Sequence, residues 1–467
     1  MDSIKKEQIK NKNNIMKKLT VLTVAIFILS TSILYSQNIK RRGFFGVKTV
    51  ELNDSIANAN NLKVSEGILI TDITQGATFS TIGIMKSDVI ISVNNIPVKK
   101  IGEYKTVLSK IRQDEIINIR IQRGSEILEL SGKVIPLAYE TSDKYDVIYD
   151  EVKYKEGYIR VIINKPKGTG KFKSIFFIPG YMCYSLDNIG KHPYAQLVQG
   201  LCEKGYAVMR AEKLGMGDCI NTPDCNDVGY FEELDAFEVA YYKFLGYDFV
   251  DKSNVFIFGH SLGGYEAPML AAKTQPKGVI VCGTGIITWF EYIIEMFRFQ
   301  NIIQGADYVE NEIFIQKIIP LLYDYLIVKK KPSELSKDSV YNSLLKEYLE
   351  FDGKDKIWSR NYKFWQDIQD LNLPEYWKSV KSNVLIVRGE GDYEAFSTLE
   401  HQEIENIVNK YNPGKGKFIL VPNMDHAFAK SKSPSESHAN SKIKGFYYDN
   451  FNPVIFDVVS DWINNIK

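Results

Sequence analysis

Ser261 is the residue around which chemistry could be built. It stands in Gly259-His260-Ser261-Leu262-Gly263-Gly264, a spacing that lets a serine sit proud of its neighbours on a sharp turn. A serine hydroxyl is a poor nucleophile until a base takes its proton and fixed donors meet the oxyanion formed by its attack. Glycines two residues before and two after remove the side chains that such a turn would crowd. The turn also leaves the Leu262 N–H at a helix start, where the helix dipole welcomes negative charge. The pattern alone is cheap, because ordinary glycine and serine usage produces it in roughly one chain in six of this length. Its flanks carry the weight.

The run Val255-Phe256-Ile257-Phe258 before the turn is wholly apolar, as a parallel strand buried on both faces requires, and a helical pattern follows through Ala272. Similar apolar runs occur at Ser174–Ile178, Ala207–Arg210, Gly278–Cys282, Val384–Arg388 and Phe418–Val421. Helical patterns separate them, at residues 194–204 and 233–245 among others. A strand pair over Val147–Ile163 turns at Glu156-Gly157. Alternating strands and helices predict an α/β fold with a mostly parallel sheet, whose sites open at the strands' C-terminal ends.

In these residues, 145–467 resemble the α/β-hydrolase family, in which nucleophile, acid and base follow in that order. The resemblance implies Ser261 as nucleophile. It implies Asp392 as acid, in Gly389-Glu390-Gly391-Asp392 after the Val384 strand, with Glu390 and Glu394 as nearby rivals. His426 is the implied base, in Pro422-Asn423-Met424-Asp425-His426 after the Phe418 strand; of five histidines only this one has that placement. Pro179-Gly180-Tyr181 resembles the family's first oxyanion loop, with proline in place of the usual histidine. The backbone amides of Tyr181 and Leu262 are then the two expected donors. His260 is expected to be structural. No cofactor and no metal are implied.

Between Ser261 and Asp392 lies more chain than a bare sheet needs. The excess, residues 286–376, reads as helical throughout: Trp289–Ile303, Val309–Ile327 bent at Pro320, and Ser333–Phe351. Such an insertion is a lid over the site. Its aromatics, among them Phe297, Phe364 and Trp365, are expected to form mainly the lid's own core. Residues 430–445 are polar and are expected to be a mobile loop. A helix over Val454–Ile466 closes the fold.

Ahead of this unit, residues 40–137 form a small β-rich domain. Gly67–Ile70 and Asp88–Val93 read as strands, and Asn94-Asn95 as the turn after the second. Tyr104, Val107, Leu108 and Ile111 share one helical face, and a hairpin turns at Arg123-Gly124-Ser125. Gly43-Phe44-Phe45-Gly46-Val47 and Asn94-Asn95-Ile96-Pro97-Val98 resemble a PDZ domain of the circularly permuted bacterial type. Ser87 and Asn95 stand where such domains usually carry glycine. The resemblance implies that the amides of Phe44, Phe45 and Gly46 cradle a peptide's terminal carboxylate, with the peptide lying against Tyr104, Val107 and Leu108.

Lysines 5, 6, 10, 12, 17 and 18 precede an apolar run from Leu19 to Leu34, then Tyr35-Ser36-Gln37. Residues 1–36 therefore read as an export signal cut near Ser36, or as an uncleaved membrane anchor. Export to the periplasm or beyond would allow a disulfide. Cys183–Cys225 is one pairing, Cys219–Cys225 its rival, and reduced thiols the third possibility. Fifty-eight basic residues against fifty-seven acidic give a net charge of +1, which argues against a nucleic-acid partner. The expected function is hydrolysis of an ester or amide through an acyl-enzyme on Ser261, with a PDZ module that recruits a peptide or protein. Alternatives are a serine peptidase and an inactive peptide-binding adaptor.

Overall fold

The computed structural model describes residues 38–59, 62 and 66–466. The expected export signal lies outside the described residues. Among the described residues, no helix is long and apolar enough to cross a membrane.

The larger sheet has eight strands. Their order runs Gly416–Val421, Asn383–Gly389, Gly278–Cys282, Val250–His260, Phe172–Ile178, Ala207–Ala211, Gly157–Pro166, Tyr145–Tyr154. Neighbours are parallel as far as Ala207–Ala211. The last two strands close the edge as an antiparallel hairpin. The apolar runs are explained by burial on both faces. Along the central strand, Val255 and Ile257 face one core with Phe176, Ile178, Val279 and Val281. Phe256 and Phe258 face the other, with Ile175, Phe177, Ile280 and Ile455. Each such side chain, removed from water, contributes about 1.5–3 kcal/mol. A polar residue in either set would lose that and strand its hydrogen-bonding groups.

The lid starts where sequence patterning places it, with a helix over Trp289–Ile303 capped reciprocally by Thr288 and Glu291. It is not helical throughout. The helix Tyr308–Leu322 passes into a π-turn over Tyr323–Ile327, and a two-stranded hairpin, Lys356–Ile357 with Arg360–Asn361, interrupts the later part. Phe297, Phe364 and Trp365 are buried, but in a core that the lid shares with one face of the sheet and not in one of its own. A second correction concerns residues 430–445, which contain the helix Pro434–Ser441. Ser433 caps it by accepting the Glu436 amide, and proline occupies its first turn. Its polar composition hid an ordinary N-terminal helix signal.

The smaller sheet is six-stranded, with Val47–Glu51 at one edge and the hairpin Ile116–Arg123/Glu126–Lys133 at the other. Asn94 (φ 49°) and Asn95 (φ 65°) make a tight turn, and Ser87 adopts φ 73°. Both positions that depart from glycine thus take the left-handed conformation, which asparagine bears more easily than serine. A buried cluster joins this domain to the larger one. Arg41 donates to Asp187 at 2.5 Å and Asp218 at 2.6 Å, all three side chains fully buried, while its Nη2 reaches the Ala138 carbonyl at 2.7 Å. Arg112 donates to the Cys219 carbonyl at 3.0 Å.

Candidate active site

Ser261 sits at the C-terminal end of the strand Val250–His260 with φ 56°. That conformation costs a non-glycine residue on the order of 1 kcal/mol and persists only where the surroundings impose it. Its amide donates to the Cys282 carbonyl at 3.0 Å, and its carbonyl accepts the Gly264 amide at 2.8 Å. The flanking glycines are sterically required. A Cβ on Gly259 would collide with the Gly263 carbonyl, and one on Gly263 with the Ile178 carbonyl. Leu262 stands at the N-cap of the helix Gly263–Thr274. The loop Pro179-Gly180-Tyr181 passes beside the serine, since a Cβ on Gly180 would lie 3.5 Å from Ser261 Oγ.

Asp392 follows the strand Asn383–Gly389 and is 1% exposed. Its Oδ1 accepts the amides of Glu394 at 2.9 Å and Ala395 at 2.8 Å. Arg388 braces the same loop by donating to the carbonyls of Asp392, Ala395 and Phe396. His426 Nδ1 lies 3.0 Å from Asp392 Oδ2. Burial by itself would raise the Asp392 pKa, but the His426 ring and the Ala395 amide outweigh it and hold the carboxyl well below its usual range. Burial would lower His426. The carboxylates of Asp392 and Glu394 prevail and push it up to about 10.

The rival Glu390 is exposed and turned to the Asn423 amide. Glu394 instead faces the other side of the imidazole, with its Oε2 3.5 Å from His426 Nε2. Among the described residues no side chain hydrogen-bonds Ser261 Oγ. Ser261 and His426 nonetheless line two common cavities, one of about 70 Å³ beneath the lid and one of about 210 Å³ beside the oxyanion loop. Loose serine–imidazole geometry is common before substrate binds.

His260 ties the two loops together. The Gly180 amide donates to the Tyr194 hydroxyl at 3.0 Å, and that hydroxyl donates to His260 Nδ1 at 2.7 Å. His260 Nε2–H then donates to the His426 carbonyl at 2.8 Å. Burial, then the charge of His426, lowers the His260 pKa to about 3, so the ring stays neutral, as this network requires.

Two participants are invisible to sequence reasoning. Gly283 closes over the acid–base pair: a Cβ there would stand 2.9 Å from His426 Nδ1 and 3.0 Å from Asp392 Oδ2. Arg360, on the lid's hairpin, donates to the Tyr181 carbonyl at 2.7 Å and to buried Glu233 at 2.9 Å. No local pattern marks either residue, because both act through contacts distant in sequence. Cys183 and Cys225 form a disulfide that fastens the oxyanion loop to the loop after Ala207–Ala211. Cys202, Cys219 and Cys282 are free and buried. Among the described residues, no cluster of His, Cys, Asp and Glu is placed to hold a metal ion.

In the smaller domain the expected peptide cradle needs correction. The Phe44 amide is taken by the Ile135 carbonyl at 2.7 Å, leaving Phe45 and Gly46. Tyr104 is 4% exposed and packs in the core, not along an open groove; Val107 and Leu108 are half-buried against that core.

Comparison with known proteins agrees with this division. Residues 43–134 match the PDZ domain model. Esterase EstD of Thermotoga maritima is 22% identical over 63% of this chain and 77% of its own length. A probable periplasmic serine endoprotease, DegP-like, of Rickettsia conorii is 28% identical over 23% of this chain. The chain spans only 20% of that relative's length. Among solved structures, Est1E from Butyrivibrio proteoclasticus with ferulic acid bound has 16% identity and a TM-score of 0.43, covering 68% of this chain and 98% of its own. Sheet order, serine turn and lid together make the larger unit an α/β-hydrolase fold, and a PDZ domain precedes it.

Proposed function

We propose that this chain is an exported serine hydrolase that cleaves an ester or related carbonyl bond through an acyl-enzyme on Ser261. One observation carries the proposal: a serine on a strained turn shares its cavities with a histidine whose Nδ1 is held by a buried carboxylate. In the neutral base, Nδ1–H donates to Asp392 and Nε2 is the free acceptor. Nε2 takes the Ser261 proton as Oγ attacks the carbonyl carbon, and the resulting oxyanion is met by the amides of Leu262 and Tyr181. His426 then gives that proton to the leaving atom. Nε2 then takes a proton from water as its oxygen attacks the acyl carbon, and gives that proton to Ser261 Oγ as the acyl–oxygen bond breaks and the acid leaves.

The PDZ domain supports recruitment of a peptide or protein, which keeps a peptidase as the second reading. A panel of p-nitrophenyl esters and aminoacyl p-nitroanilides, assayed with wild type and Ser261→Ala, tests both. Ester turnover lost in the variant is expected. Anilide turnover exceeding it would favour the peptidase, and no turnover of either by folded protein would favour an adaptor.

A further inference from the structure

We propose that Glu394 selects substrates whose leaving group carries a positive charge close to the scissile bond. This rests on the serine-hydrolase proposal for turnover, though not for binding.

The backbone of Glu394 is pinned twice. Its amide donates to Asp392 Oδ1 at 2.9 Å, and its carbonyl accepts the Tyr292 hydroxyl at 3.2 Å. The carboxylate is 45% exposed and lines both cavities that flank Ser261. Among the described residues no lysine or arginine pairs with it; its one cationic neighbour is His426, at 3.5 Å. The walls around it are aromatic, with Trp289 and Tyr292 under the lid and Tyr184 and Tyr447 beside the oxyanion loop. A carboxylate whose one basic neighbour is an imidazole, with aromatic rings lining the same cavities, is a receptor for a cation. The carboxylate supplies charge and the rings supply cation–π attraction.

Distance sets where that cation must lie. To protonate the leaving atom, His426 Nε2 must come within about 3 Å of it. With Glu394 Oε2 3.5 Å from the same nitrogen, the carboxylate lies within about 6–7 Å of the leaving atom. A cation two carbons beyond the leaving oxygen falls inside that radius. Such a cation would also draw Glu394 away from Nε2, freeing the nitrogen to face Ser261. An anionic leaving group would meet repulsion instead.

The test has two arms. In the first, choline and its uncharged isostere 3,3-dimethylbutanol are titrated calorimetrically into Ser261→Ala and into Ser261→Ala/Glu394→Gln. Choline is expected to bind the single variant about tenfold more tightly than the isostere, and that preference is expected to vanish in the double variant. Equal affinity for the two ligands in Ser261→Ala, or a preference that survives in the double variant, would overturn the proposal. In the second arm, kcat/KM is measured for butyrylcholine and 3,3-dimethylbutyl butyrate. The ratio between them is expected to fall about tenfold in Glu394→Gln; an unchanged ratio with both esters turned over would overturn it. Choline binding that depends on Glu394, with neither ester turned over, would support this proposal while defeating the hydrolase one.

Discussion

Arg360→Lys isolates what the lid does for the oxyanion loop. The native side chain is fully buried, its guanidinium 3.7 Å over the Phe364 ring, with one nitrogen on Glu233 and another on the Tyr181 carbonyl. Lysine keeps the charge but cannot fork to both acceptors. Glu233 is not stranded, because Lys213 still pairs with it at 2.7 Å. What is lost is the charge-assisted bond to the Tyr181 carbonyl, worth about 1.5–3 kcal/mol, and the ring stacking, about 0.5–1 kcal/mol. Urea denaturation should therefore show a stability loss of about 2–4 kcal/mol. The catalytic effect follows from the same residue, whose amide lies in the peptide group adjoining that carbonyl. With its carbonyl released, the Tyr181 amide is no longer held in direction, and complete loss of one oxyanion donor lowers kcat about 10²–10³-fold. A loosened donor should lower kcat about 10–100-fold with KM changed less than about twofold. Both constants are to be measured on one chromogenic ester, in protein shown folded by circular dichroism. A kcat within twofold of wild type, in protein with the expected loss of stability, would refute Arg360 as a positioning residue.

Further outcomes follow from the same structure. Reducing Cys183–Cys225 opens a loop with a sequence separation of 42, so Cys183→Ser/Cys225→Ser should lose roughly 3–4 kcal/mol in urea denaturation; no change would place the pair apart in solution. The His426 pKa, raised from 6.5 to about 10, makes its contribution to stability complete below pH 6.5 and lost as pH rises through about 10. Activity needs the neutral ring, so kcat/KM should climb over that same interval, and Glu394→Gln should move the climb to lower pH; an unmoved profile would remove Glu394 from the account. Arg41→Met removes one cation of the buried cluster but leaves Arg160 3.3 Å from Asp218 and Arg42 3.7 Å from Asp187, so calorimetry should show a loss of about 1.5–3 kcal/mol; an unchanged transition would deny the cluster its role.

What sequence could show here depended on whether the cause was local. The run Val255–Phe258 is apolar because both its faces are covered, and Gly259 and Gly263 are small because a carbonyl lies against each. Such constraints act over a few residues and leave a pattern. Patterning likewise placed the first lid helix at its observed bounds, Trp289–Ile303. Arg360 is different. Its partners, Tyr181 and Glu233, become neighbours only when the lid closes over the sheet, and nothing around Arg360 announces that. Tyr104 illustrates the reverse error, since helical spacing marks a face but does not say whether a core or a ligand covers it. The Phe44 amide, expected on a peptide carboxylate, is taken by the domain's own Ile135 carbonyl. Sequence marks Glu394 only as a rival to Asp392, because its place on the far side of the imidazole depends on the turn that Asp392 organises.

Covalent labelling tests the central claim most directly. Wild type, Ser261→Ala and His426→Ala are each incubated with a fluorophosphonate, and the modified peptide is identified by mass spectrometry. The account predicts one stoichiometric adduct on Ser261 in wild type, none in Ser261→Ala, and labelling slowed by at least about 10³-fold in His426→Ala. An adduct on another residue, or labelling at the wild-type rate without the imidazole, would contradict it.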